Sequence, residues 1–374
     1  MKLKQIKQRL GRHIINIPGW CTSRKIVVIE SDDWGSIRMP SLQVYEKLLN
    51  AGIRVDKCPY NRFDSLENEE DLSSLFDVLT KFKDKNGKHP VFTANSVVSN
   101  PDFEKIQRSN YLEYHYELFT ETLSKYPDCK NAFNVCMQGL AGGIFYPQFH
   151  GREHLNVNRW LNALWQGSAE TLLAFSCNMF GISANISGES RKSYMAALDF
   201  DNPAEIETQK KIIVEGLGIF NDIFGYHSKS FIAPNYVWHS DLESILMQNK
   251  VKFIQGAGNQ NQPAASGMKV IRHKLGERNK LNQIYLNRNC IFEPSTDPYK
   301  QWVGSTLKEI EIAFFWRKPA IITTHRVNYI GSIVPSNRKE NLKLLSELLT
   351  KLIEKWPDVE FMTSDKLGEL IENS

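Results

Sequence analysis

Asp32 and Asp33 stand side by side at the end of the run Ile26-Val27-Val28-Ile29-Glu30-Ser31, just before Trp34-Gly35. The run is apolar and β-branched, so it reads as a buried strand that delivers two carboxylates to its C-terminal end. That end is where α/β folds keep their chemistry. Adjacent acids repel, and a strand end tolerates them when a cation or a proton-transfer role gives them different environments. An N-cap and turn pair before the next helix is the plainer reading. His150 and His154 lie four residues apart after another strand candidate. Two imidazoles at that spacing can converge on one Zn, Fe, Co or Ni ion, and a carboxylate would complete a catalytic metal site with a position open for water. His325, also at a strand end, offers a third imidazole.

These groups need elements to hold them. Leu42 to Ala51 reads as a helix that stops at Gly52, and Asp71 to Phe82 as another that stops near Gly87. Pro90 to Asn95 is a strand with a polar end. The polar and aromatic segment 100–143, with a helix expected at Tyr114 to Leu123, reads as an insertion. Gly143 to Phe149 is a strand in spite of Pro147, and a helix carrying Trp160, Leu161, Leu164 and Trp165 on one face follows it. Asn202-Pro203-Ala204-Glu205 opens a helix to Phe220 with an N-cap, a first-turn proline and a capping-box acid. Ser230 to Trp238 is a strand running into an aromatic turn, with Ser240 and Glu243 as a capping box beyond it. Short strands are expected at Val251 to Ile254, Lys269 to Arg272 and Gln283 to Leu286. A helix at Thr306 to Phe315, a strand from Ala320 to His325, a helix from Asn337 to Lys355 and a closing strand and helix from Val359 complete the chain. Strand followed by helix, about seven times over, predicts a parallel sheet with right-handed crossovers, most economically a barrel.

The 374 residues are 41% hydrophobic and 24% charged, which fits a globular chain with an ample core. A net charge of +4 does not point to a nucleic-acid partner, and no glycine-rich phosphate loop is present. The six cysteines are widely spaced and follow no secretory segment, so they read as reduced thiols in a cytoplasmic enzyme. No apolar run is long enough to span a bilayer. Residues 1–24 form a basic arm in which Leu3, Ile6, Leu10, Ile14 and Ile17 recur at helical spacing. A helix docked under the barrel with a solvated basic face is expected, and peripheral contact with an anionic membrane is the alternative. Residues 25–374 then make one domain.

Taken together, the order of motifs resembles the polysaccharide deacetylase family, the NodB-homology carbohydrate esterases. Ser31-Asp32-Asp33-Trp34-Gly35 is similar to the family's first motif and His150-Gly151-Arg152-Glu153-His154 to its second. Ala233-Pro234-Asn235-Tyr236 resembles the third, Thr323-Thr324-His325 the fifth, and Phe361 to Leu367 the last strand and helix. The resemblance implies an incomplete (β/α)7 barrel and a metal-dependent deacetylase acting on an acetylated sugar or glycan. It implies Asp32 as general base, Asp33, His150 and His154 as ligands of a divalent metal, zinc foremost, and His325 as general acid. A backbone N–H near Asn235 or Tyr236 would hold the oxyanion. Trp34, Tyr236 or Trp238 would stack on the sugar, with Asn235 and Arg288 also at the substrate. A cytoplasmic location favours a lipid-linked or nucleotide sugar as substrate.

Several positions depart from the family's pattern. Ile232 occupies the place of the third motif's arginine, so Arg272 or Arg288 is expected to orient Asp32. The fourth motif, whose acid tunes the late histidine, has Glu293 or Asp297 as its candidates. Two competing readings share the barrel: a glycoside hydrolase pairing Asp32 or Asp33 with Glu293, and a carbohydrate-binding barrel without turnover.

Overall fold

Every one of the nine residues of β1 (Ile26–Trp34) is buried, and its two faces do different work. Val27 and Ile29 join the main core among the helices, whereas Ile26 and Val28 face a second cluster with Phe253, Leu286, Ile321 and Leu367. By the two-residue repeat of a strand, Glu30 and Asp32 continue that second face. The inner surface is thus apolar at the base of the strand and acidic at its C-terminal end. The computed structural model describes residues 10–182, 193–265 and 267–374.

Beyond β1 come β2 (Phe92–Val97), a hairpin of β3 (Ser99–Pro101) and β4 (Tyr116–Leu118), β5 (Phe145–Gly151), β6 (Ser230–Ile232) and β7 (Phe253–Gly256). A second hairpin, β8 (Asn259–Ala264) with β9 (Gly267–Arg272), precedes β10 (Ile284–Asn287), β11 (Cys290–Ile291), β12 (Ala320–His325) and β13 (Glu360–Phe361). The main sheet has the order β10-β7-β6-β5-β2-β1-β12-β11, with β13 pairing the start of β1, and its ladders are parallel. β10 and β11 sit at opposite ends of that order, yet only Arg288 and Asn289 separate them in the chain. One run of backbone therefore pairs with both ends of the sheet, which must curl until they meet. The result is a barrel of seven staves whose ladder is broken at Arg288-Asn289, the incomplete (β/α)7 barrel expected.

Local structure departs from expectation in four places. Tyr114 to Leu123 is not one helix: β4 takes Tyr116–Leu118 and the helix starts at Phe119, because β4 pairs with β3. Ser240 and Glu243 form no capping box. The Glu243 carboxylate turns inward to accept from Tyr285 Oη at 2.8 Å and Trp238 Nε1 at 3.3 Å, and His239 caps the turn instead. Lys269 to Arg272 is a strand, but in the β8–β9 hairpin outside the barrel. Residues 100–143 are not all an insertion, since the helix Ala132–Ala141 buries Ala132, Val135 and Cys136 in the main core and leads into β5 as its crossover. Pro147 sits within β5; Asn202 and Glu205 make side-chain bonds in the turn before their helix, Ala204 N–H to Asn202 Oδ1 and Asn202 N–H to Glu205 Oε1, but the helix begins only at Glu205, with Ala204 at its N-cap, and runs on to Phe224.

The described part of the arm, helical over residues 10–16, docks at the N-terminal ends of the strands. Arg12 pairs with Glu309 at 2.9 Å, Asn16 accepts from Asn289 Nδ2 at 2.8 Å, and the Trp20 N–H donates to the Leu275 carbonyl. Leu3 and Ile6 lie outside the described residues. No described helix is long and apolar enough to cross a membrane.

At the opposite end of the barrel, Arg326 is wholly buried just after β12. It donates to both oxygens of Asp64 (3.0 and 3.1 Å), to Glu67 (2.6 Å) and to the Ser36 carbonyl (2.7 Å). Glu67 also accepts from the Gly35 N–H at 2.9 Å, so one guanidinium fastens the loop after β1 to β12. Arg326→Met strands two buried carboxylates, and the expected cost is about 3–5 kcal/mol of folding free energy. Urea denaturation followed by circular dichroism measures it. A loss within about 0.5 kcal/mol, the range of a surface substitution, would contradict this account of the loop.

Candidate active site

Consecutive strand residues point to opposite faces, so Asp32 and Asp33 should not serve one pocket. The backbone of Asp33 resolves this by adopting a left-handed conformation (φ 78°) where the β1–β2 register shifts between Ser31 and Trp34. Asp is among the few side chains that tolerate that region. Both acids thereby line one cavity of about 410 Å³, together with Arg38, Tyr60, Asn61, His150, His154, Asn235, Tyr236 and His325.

Asp33 is held from two sides. Its Oδ2 accepts from Arg38 Nη2 at 2.9 Å, and its Oδ1 lies 3.5 Å from His150 Nε2 and 3.3 Å from His154 Nε2. Burial favours the neutral acid, but Arg38 foremost holds the carboxyl well below its ordinary range. The His150 Nδ1 lies 2.9 Å from the Ile232 carbonyl. A carbonyl only accepts, so Nδ1 is the donor there and Nε2 is the nitrogen turned toward Asp33. Burial depresses His154 to about 3, leaving its ring neutral, and its Nδ1 has no hydrogen-bond partner among the described residues. The loop bearing both histidines is pinned by Arg152, whose carbonyl accepts from the Val98 and Ser99 N–H groups and whose guanidinium grips Glu153.

The ligand atoms of Asp33, His150 and His154 lie within 4.8 Å of one another, all buried. Charge gives a second test of whether they fit a metal. In the surrounding network Arg38, Arg288, Arg326 and protonated His325 carry four positive charges, against six on Glu30, Asp32, Asp33, Asp64, Glu67 and Glu293. The excess of two negative charges is what a divalent cation would offset. Burial already raises one member, Asp64, to about 6. Two imidazoles and one carboxylate oxygen suit a first-row transition ion.

Asp32 is fixed by Arg288, which sits in the break that closes the barrel. The guanidinium donates to both Asp32 oxygens (2.6 and 2.7 Å), to Glu30 (2.5 Å) and to Tyr236 Oη (3.1 Å), and Asn95 Nδ2 adds a bond of 2.7 Å to Asp32. Burial opposes ionisation of Asp32, but Arg288 outweighs it and holds the acid well below the usual carboxylate range. Arg272, the other candidate for this task, lies on the outlying β8–β9 hairpin. Ile232, in the place of the expected arginine, contributes its backbone carbonyl to His150.

His325 presents Nε2 toward Asp32 Oδ2 at 3.7 Å, while Glu293 sits 2.5 Å from its Nδ1. Burial works against the charged ring, but Glu293 and then Asp32 raise it to about 9, so the imidazolium prevails at neutral pH. Asn328 holds the far oxygen of Glu293 at 2.7 Å. Asp297 is exposed and caps its own turn through the Tyr299 N–H. Glu293 lies behind His325 rather than on the pocket wall, which removes the acid that a glycoside hydrolase reading would pair with Asp32 or Asp33.

The aromatic expectations are corrected. Trp34 is 2% exposed, donates to Ser31 Oγ and meets Phe145 edge-on in the core. Trp238, 1% exposed, is likewise buried away from the pocket. Tyr236 and Tyr60 are the rings on the pocket wall, and Tyr60 also stands edge-on to His325 at 5.3 Å. Asn235 and Tyr236 are both left-handed (φ 56° and 57°), which turns the lip of the pocket sharply. The Tyr236 N–H is committed to the Ala233 carbonyl and is no oxyanion donor. Sequence reasoning missed Arg38, Tyr60, Asn61 and Asn95. Only Asn95, polar at the end of a strand, carried a readable signal.

No family profile and no protein of curated function matches the chain. Solved structures do share its course, among them a protein described as a polysaccharide deacetylase from Mycobacterium smegmatis. That match has 10% identity, covers 95% of this chain and 93% of the other, and has a TM-score of 0.44. A 4-alpha-glucanotransferase from Thermococcus litoralis gives 9% identity, 92% and 40% coverage and a TM-score of 0.43, and Puue allantoinase 11%, 94% and 91%, and 0.42. Proteins described as polysaccharide deacetylases recur among the matches. Identities and scores this low carry no argument about the reaction, which rests on the pocket itself.

Glu293→Gln tests the electrostatics of the late histidine in protein stripped of metal by chelation. The His325 ring is expected to titrate near 9 in the native chain and well below that in the variant, read from its imidazole proton resonances. A raised folded-state pKa stabilises below the unfolded value. The native chain's stability advantage over Glu293→Gln should therefore be full at pH values below the variant's own, lowered His325 titration and fade as pH rises through about 9.

Proposed function

We propose that this chain is a metal-dependent hydrolase that removes acetyl groups from an acetylated sugar or glycan precursor. The observation that carries the reading is the convergence, in one pocket, of a buried Asp33-His150-His154 set with an ionised Asp32 and a protonated His325.

Asp33, His150 and His154 are the residues that would hold the ion, zinc foremost, with cobalt, nickel or iron as alternatives. A divalent ion there would supply Lewis acidity, lowering the pKa of a water and polarising an acyl carbonyl. Asp32 is the general base. A carboxylate held this far below its ordinary range is always ionised, and Arg288 fixes which way its oxygens face. Its weakness as a base also accounts for the cation site beside it. His325 carries a proton at Nε2 on the pocket side, and donates it to the leaving amine or alkoxide as the tetrahedral adduct collapses. Glu293, bonded at Nδ1, stabilises the ring that gives the proton. Tyr60 and Tyr236 offer faces for the sugar ring, and a cavity of about 410 Å³ lies within the usual range for a small-molecule site. The location proposed is the cytoplasm, supported by six cysteines that are all unpaired.

Two substitutions separate the roles. Asp32→Asn should keep about one metal ion per chain and lose acetate release from an acetylated-sugar panel by roughly a hundredfold or more. His150→Ala should lose both metal and activity. Elemental analysis beside an acetate assay checks each, and equal metal loss in the two variants would contradict the division of labour between Asp32 and Asp33.

A further inference from the structure

Under the barrel, the arm is built the wrong way round for a helix that simply packs. Its polar residues face the protein: Arg12 bonds Glu309 and the Asn289 carbonyl, His13 accepts from Trp316 Nε1 at 3.0 Å, and Asn16 is 2% exposed against Asn289. Its apolar residues face outward instead. Leu10, Ile14, Ile15 and Ile17 are 50–64% exposed, and Phe315, beside His13, is 70% exposed. The expectation of a solvated basic face is thus reversed over the described residues.

Exposed large aliphatic side chains clustered on one element mark a contact surface rather than chance exposure. Charge says what the contact is. Residues 1–25 hold Lys2, Lys4, Lys7, Arg9, Arg12, Arg24 and Lys25 and no acid. Arg12, Arg24 and Lys25 pair with Glu309, Glu360 and Asp358, so the charge left for a partner is that of Lys2, Lys4, Lys7 and Arg9, in the stretch of sequence that leads directly into Leu10, together with the exposed Arg317, which adjoins the arm through its bond from the Thr22 N–H. An apolar face that continues a cationic, acid-free stretch of sequence is the pattern of an element that lies in the interface of an anionic bilayer.

We propose that residues 10–17 and Phe315 form a docking surface for anionic membranes. The surface lies at the N-terminal ends of the strands, whereas the pocket opens at their C-terminal ends. From Ile26 to Asp32 a strand rises about 20 Å. Docking therefore leaves the pocket turned away from the bilayer, and its substrate is a group that stands clear of the headgroups.

Co-sedimentation of the full chain with vesicles tests this directly. Vesicles of equal parts phosphatidylcholine and phosphatidylglycerol should bind it, and phosphatidylcholine alone should not. Ile14→Glu with Ile17→Glu should weaken binding about tenfold or more. So should Phe315→Glu, on a separate element, and neither change should alter thermal unfolding, because the side chains are exposed. Equal binding by native chain and variants overturns the proposal, as does equal binding to both kinds of vesicle. A dimer in light scattering that the variants abolish, without vesicle binding, would assign the surface to a second copy of the chain and overturn it too.

Discussion

Two carboxylates on consecutive residues, both cut off from water, set the terms for everything around them. At an effective dielectric constant of about 20, like charges 4 Å apart repel by roughly 4 kcal/mol, and each also forfeits its hydration. The chain answers with one guanidinium per acid rather than one for the pair: Arg288 on Asp32 and Arg38 on Asp33. Each arginine then needs its own second acid, Glu30 for one and Asp64 for the other, and Asp64 draws in Arg326 and Glu67. The buried lattice of charge that joins β1, β12 and the loops between them grows from this one adjacency. It ends short of neutrality, at the three residues able to take a cation.

The same lattice explains why the barrel closes as it does. A continuous ladder at the last stave would point successive side chains alternately in and out. Breaking it at Arg288-Asn289 frees Arg288 to lie inside, over Asp32. Asn289 is left to staple the other edge through its side-chain bonds to Ile321 N–H, the Pro319 carbonyl and Asn16. Closure of the fold and orientation of the base are one structural event.

Much of this was legible in the sequence, for reasons that differ by residue. The β-branched run of β1 and the acids after it declare a strand and its functional end, because burial and the two-residue repeat are local properties. His150 and His154 declare themselves by spacing. Glu293 and Arg288 could be named as candidates because the family resemblance implies an arginine for the aspartate and an acid for the late histidine, but choosing them over Asp297 and Arg272 needed the third dimension. Arg38 gave no signal at all: its pairing with Asp33 depends on the turn made by a left-handed residue between them. Trp34 and Trp238 were misread because an aromatic ring beside a site has the same composition whether it faces the pocket or the core. The arm was misread for the opposite reason. Helical spacing reveals that one face is apolar, not which way that face is turned.

Arg288 also bears on how such a chain is recognised by descent. Compared motif by motif, Ile232 stands where the resemblance to the polysaccharide deacetylase pattern would place an arginine. In space a guanidinium reaches Asp32 all the same, from the break between β10 and β11 more than fifty positions downstream. A contact kept by a side chain from elsewhere in the sequence leaves no mark in the motif where it was expected. Barrels tallied as inactive on a missing motif residue are worth re-examining for a substitute that arrives from across the seam.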